Sequence, residues 1–81
     1  MRITDLEPGE VYVVTRPFRD DRGTLVQEGD RQTFERVAMA GSGVFEVVFR
    51  EETLVVHEER QAELAEHAER FLRPADAGVR R

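Results

Sequence analysis

In the segment VFEVVFR, Val44–Arg50, the residues Phe45, Val47 and Phe49 fall on one side of an extended chain, with Glu46 and Arg50 on the other. Side chains alternate across a strand, so this spacing gives one apolar face and one wet face. A half-buried strand needs neighbours, and the rest of the chain offers them. Glu10–Arg16 (EVYVVTR) is rich in β-branched residues and follows the turn signal Pro8-Gly9. Gly23–Gln27 (GTLVQ), Arg31–Ala40 (RQTFERVAMA) and Thr53–His57 (TLVVH) read as further strands. Gly41-Ser42-Gly43 supplies a hairpin turn before Val44. Pro17 lacks a backbone donor and should end regular pairing or sit at an edge.

The period changes after His57. In Glu58–Leu72 (EERQAELAEHAERFL), Leu64, Ala65, Ala68, Phe71 and Leu72 recur at helical spacing and predict one C-terminal helix. Glu58 and Glu59 suit the positive end of its dipole, Arg70 and Arg73 suit the negative end, and Pro74 stops it. No Ser, Thr, Asp or Asn stands at the N-cap, so the first turn is weakly specified. Five short strands and one helix make an α+β chain, mainly β. So few residues most economically curl into a small five-stranded SH3-like barrel, with the helix over one end or face. The domain is expected over residues 1–73, with 74–81 a disordered tail.

A chain of 81 residues builds one core and hides only about 60–65% of the surface its unfolded form exposes. Without cysteine, packing and hydrogen bonds must hold that core. The opening MRITDLEPGE has no apolar run of signal-peptide length and no stretch approaches a membrane span, so a cytoplasmic protein with no membrane contact is expected. The net charge of −5 is uneven. Residues 1–50 carry nine acids and seven arginines, 51–69 carry seven acids and Arg60, and 70–81 carry four arginines and Asp76. Phosphate backbones are held by clustered cations, so direct nucleic-acid binding is not expected. All twelve cations are arginine, which excludes chemistry that requires a lysine amine.

The stretch FRDDRGTLVQEGD, Phe18–Asp30, concentrates acids and glycines between strands. As an EF-hand loop with Gly23 sixth, it would place Phe18 first, Asp20 third, Arg22 fifth and Gly29 twelfth, so the ligand spacing fails and no metal is expected. A phosphate cradle fails too, because Gly23 and Gly29 lead into strands and four acids would repel the anion. The plainer reading is a long hairpin-like excursion. Asp21-Arg22-Gly23 makes a tight turn, Leu25 or Val26 tucks onto the core, and Glu28-Gly29-Asp30 makes a second turn.

YVVTRPFRDDRG, EGD and TF also resemble a small uncharacterised bacterial family, domain of unknown function 3601. The matching positions are Pro8, Gly9, Tyr12, Val14, Phe18, Asp20, Asp21, Gly23, Gly29, Asp30, Thr33 and Phe34, and the glutamate-rich C-terminal segment is similar as well. The resemblance covers roughly residues 6–72 and departs after Phe34, where VAMAGSGV stands in place of an aromatic-rich hairpin. It implies a fold and carries no activity.

Catalytic signals are sparse. His57 and His67 are ten residues apart, which is no zinc spacing; His57 reads as an exposed or capping imidazole and His67 as part of a solvated helix face. Ser42 sits in a Gly-Ser-Gly turn with no fixed base. A non-enzyme without cofactor is expected, acting as an interaction or regulatory module whose partner is another protein. SH3-like barrels bind peptides through aromatics beside the long first loop, with acids at the rim. That makes Tyr12, Phe18, Asp20, Asp21, Glu28 and Asp30 a candidate partner groove, although Phe18 and Phe34 suit a core better than a groove. The alternative is an acidic inhibitor or nucleic-acid mimic, presenting Glu51, Glu52, Glu59, Glu63 and Glu66 to a basic groove. Oligomeric state is not specified by the sequence.

Overall fold

The structure, a computed structural model, describes residues 1–75. A 3-10 turn at Ile3–Asp5 precedes β1 (Val11–Val14), β2 (Phe18–Arg19), β3 (Leu25–Val26), β4 (Arg31–Gly41), β5 (Val44–Phe49) and β6 (Thr53–His57). Helix α1 (Ala62–Glu66), a second 3-10 turn (Ala68–Arg70) and β7 (Leu72–Pro74) complete the chain. The protein is α+β, mainly β. One sheet runs β6-β5-β4-β1-β7, and β2 and β3 form a separate ribbon. Among the described residues no strand ladder joins β6 to β7, so strand pairing leaves the sheet open.

The alternation from Val44 to Phe49 holds, with Phe45, Val47 and Phe49 buried and Glu46 exposed. Strand β4 serves two neighbours. Its first residues pair with β1, from Val13↔Arg31 to Val11↔Thr33. From Phe34 onward it pairs with β5, as far as Gly41↔Val44. A register shift between Phe34 and Arg36 marks the change of neighbour, and the Phe34 and Phe49 rings meet edge-on there, 5.9 Å apart. Bulges of this kind bend a strand and increase its twist. The β4–β5 hairpin closes through Ser42-Gly43, and Gly43 adopts φ +70°, a conformation that costs glycine little.

Two expectations need correction. The single helix over 58–72 is instead one short helix, a 3-10 turn and a strand. Gln61 and His67, on either side of α1, both lie outside helical geometry, and the Ala68 N–H donates to the Met1 carbonyl rather than continuing the helix. The apolar stripe itself is buried, with Leu64, Ala65, Ala68, Phe71 and Leu72 all in the core. Helical spacing alone could not show that Leu72 would leave for the sheet, where it pairs with Val14. Tertiary pairing overrides a marginal helix of this length.

The domain boundary expected after Arg73 is also overrun. Pro74 pairs with Tyr12, and the Ala75 N–H donates to Val11 O at 2.8 Å. Proline is tolerated there because β7 is an edge strand. The rest of the expected tail, 76–81, lies outside the described residues. The core also includes Ile3 and Leu6, which the strand-and-helix reading had not enlisted.

Candidate functional site

The excursion between β1 and β4 folds as the turn chemistry predicts. Val26 is fully buried while Leu25 stays exposed, and Gly23 and Gly29 take positive φ at the two turns. Asp20 is its anchor. Only 4% of the residue is exposed, and one carboxylate oxygen, Oδ1, accepts the N–H groups of Arg22 (2.9 Å) and Thr24 (2.8 Å). The other, Oδ2, accepts the N–H of Val55 in β6 at 2.9 Å and Arg22 Nε at 3.4 Å. Burial pushes the Asp20 carboxyl up, but the Val55, Thr24 and Arg22 N–H groups and then the Arg22 charge outweigh it and hold it below the ordinary carboxylate range.

The same segment makes further contacts along β6. The Asp21 N–H donates to Val55 O at 2.7 Å, and Arg22 Nη2 donates to Thr53 O at 2.7 Å. At the end of the strand the His57 N–H donates to Gln61 Oε1 at 3.1 Å. His57 in turn caps the following turn, its Nδ1 accepting the N–H groups of Glu59 and Arg60 at 3.2 Å each. Arg60 grips Asp21 with two bonds (3.0 and 2.8 Å), and that guanidinium holds the Asp21 carboxyl below its usual range. Gln61 Nε2 donates to Arg19 O at 2.7 Å. The excursion and the turn after β6 are therefore bonded to each other along the sheet's margin.

This arrangement corrects the expected groove. Tyr12 is buried, and its hydroxyl accepts the Glu7 N–H at 2.8 Å. Burial raises the Tyr12 pKa, against the lowering effect of that bond. Neither Tyr12 nor Asp20 offers a surface to a partner. Phe18 is half-buried against the core, its ring edge-on to Phe71 at 5.5 Å, and Arg16 stacks over Phe71 at 4.6 Å. Asp21 is held by Arg60, while Asp30 Oδ2 accepts the Gln27 N–H at 2.9 Å and so caps the second turn. Glu28 alone of the six is a fully exposed acid.

The alternative acidic face is also largely matched within the chain. Glu51 accepts the N–H and hydroxyl of Thr33 (2.7 and 2.9 Å), Glu52 accepts Gln32 Nε2 at 2.8 Å, and Glu63 bridges Arg16 and Arg70. Arg2 lies between Glu58 and Glu66 at 3.2 Å from each. Glu59 is exposed and, among the described residues, has no ion-pair partner. His67 stands exposed 3.7 Å from Glu69. No group of three or more His, Asp or Glu among the described residues is placed to hold a metal ion, and no described helix is long and apolar enough to cross a membrane. A shallow depression of about 380 Å³ lies between Gly9, Glu10, Val11, Arg31 and Ala75.

One part of the sheet is treated differently. Val55 turns its N–H and C=O away from β5, toward Asp20 and Asp21. Antiparallel pairing alternates these directions, so Leu54 and Val56 face β5 and bond Val47 and Phe45. It follows that Glu46 and Val48 face β4, where their partners are Ala38 and Arg36. Val37 and Met39 therefore aim their N–H and C=O groups away from β5. Strand β1 does not reach them, since its pairing with β4 stops at Thr33 and the Gly9 N–H bond to Phe34 O. Among the described residues no backbone group bonds to Val37 or Met39 on that side. Met39 is 65% exposed, and no charged residue occurs from Val37 to Phe45. In sequence, VAMAGSGV reads as the end of a strand, a hairpin turn and a departure from the family it resembles; its lack of charge was the available signal of an open edge.

No family model and no curated protein matches the chain. The chain is similar to a solved integron cassette protein from the mobile metagenome of Vibrio cholerae, with a TM-score of 0.78, 22% identity and coverage of 86% of each chain. Such a likeness shows the fold alone.

Proposed function

We propose that this chain is a non-catalytic protein-interaction module on an SH3-like barrel, and that it receives an extended segment of its partner at the open edge of β4. The barrel reading is supported by a long bent β4 shared between two neighbours, an excursion joining the first two long strands, and a ribbon tip bonded to β6. The interaction reading rests on one observation: the unbonded, uncharged edge at Val37–Met39. Strand addition draws affinity from main-chain hydrogen bonds and selectivity from alternate side chains. Here Val37 and Met39 would supply that selectivity on one face, and Arg36, Ala38 and Glu46 on the other.

The test is amide exchange on the dilute chain. The Val37 and Met39 amides should exchange as freely as those of exposed turns. Strong protection of both in a monomer would mean the chain covers its own edge, and the reading would fall.

A further inference from the structure

Resting on that reading, we infer that the segment received at the β4 edge is the same edge of a second copy, forming an antiparallel, two-fold symmetric pair centred on Ala38. A two-fold axis through Ala38 sets Val37 opposite Met39 of the second copy, and Met39 opposite its Val37. Val37 and Met39 are the residues whose N–H and C=O groups face outward, so both pairings are of the hydrogen-bonded kind and four backbone bonds form. A symmetric contact of this sort uses the same patch twice, the commonest form of self-association.

The charges favour the same occupant. Arg36 and Glu46 are exposed and flank Ala38 on one face, because Arg36 pairs with Val48 and Ala38 pairs with Glu46. Neither has an ion-pair partner among the described residues. In the antiparallel pair, Arg36 of each copy extends over small alanines toward Glu46 of the other. The Ser42-Gly43 turn is small, and the segment from Val37 to Phe45 brings no charge to the join. The chain's net charge of −5 opposes association at long range, so the pair should be weak and strengthened by salt.

The other edges do not compete. Thr53, Val55 and His57 in β6 are bonded by Arg22, Asp20, Asp21 and Gln61, and β7 carries Pro74. Natural sheets blunt their edges with such devices. The β4 edge carries none.

The experiment uses sedimentation and cross-linking together. The chain has no cysteine, so Ala38→Cys introduces the only thiol. Residues directly opposite in a non-hydrogen-bonded pair bring their Cα atoms to about 4.5 Å, inside the roughly 4.4–6.8 Å span that a disulfide bridges. Mild oxidation should link most of Ala38→Cys into a dimer, while Ser42→Cys, distant from the axis, should link poorly. The unsubstituted chain should sediment as a concentration-dependent monomer–dimer mixture, with the Val37 and Met39 amides gaining protection as dimer accumulates. A chain that stays monomeric at all concentrations, with both amides unprotected, overturns the inference and leaves the strand-receiving reading standing. A dimer in which those amides stay unprotected, or in which Ser42→Cys links better than Ala38→Cys, overturns the inference as well. Strong protection in a dilute monomer overturns both.

Discussion

The outer edge of β6 and the outer edge of distal β4 belong to one sheet and flank the same hairpin strand, β5, yet they are finished in opposite ways. Along β6, Asp20, Asp21, Arg22 and Gln61 take up the outward groups of Thr53, Val55 and His57. Along β4, the outward groups of Val37 and Met39 meet no described backbone partner, and the strand runs on apolar and uncharged. A sheet edge left in that state is a template for another chain. The difference shows that polar residues of this protein can serve as edge covers: Asp20, which looks like part of a binding rim in sequence, is a hydrogen-bond acceptor for the sheet.

The largest expected effect falls on the core beneath both edges. Phe49 is 3% exposed and packs against Phe34 where β4 changes neighbour. Phe49→Ala should cost about 3–5 kcal/mol by chemical denaturation and loosen both edges together. An unchanged midpoint would refute the shared core.

Asp20→Ala should come next, at about 2–4 kcal/mol, because it leaves the Arg22, Thr24 and Val55 N–H groups without their acceptor. The loss should appear first as faster amide exchange along β6, with β4 unaffected. Asp21→Ala removes only an exposed pair with Arg60 and should barely move the Tm. Equal effects at the two aspartates would erase the distinction between cover and rim.

Acid should act through the same carboxylate. Since the folded Asp20 carboxyl lies below its unfolded value, its stabilising contribution is present above the unfolded pKa and is lost as pH falls through the folded one. Urea midpoints measured across the acidic range should therefore fall less steeply in Asp20→Asn than in the natural chain. Parallel curves would remove Asp20 from the account. The smallest effect is predicted at the open edge, where Met39→Lys should change stability by less than about 0.5 kcal/mol while reducing self-association.

Much of the frame was legible, and the reason is local. Period-two spacing from Val44 to Phe49 and the turn signals at Gly23, Gly29 and Gly43 depend on near neighbours, and the structure follows them. The break at His67 was not legible, because the spacing from Leu64 to Leu72 is the same whether the last residues continue a helix or leave for a strand. Asp20 and Asp21 read alike in sequence. Only the approach of Val55, thirty-five positions away, separates a buried acceptor from an exposed pair. The open edge was hidden for a related reason: it exists because β1 stops beside Phe34, which no feature of Val37 or Met39 announces.

The contrast between the edges is tested most directly by residue-resolved amide exchange on the dilute, monomeric chain. The Val55 amide, held by buried Asp20, should exchange only through large-scale opening, whereas Val37 and Met39 should exchange at rates close to those of unstructured chain. Comparable protection of Val37, Met39 and Val55 would contradict the claim that this sheet closes one edge and leaves the other open.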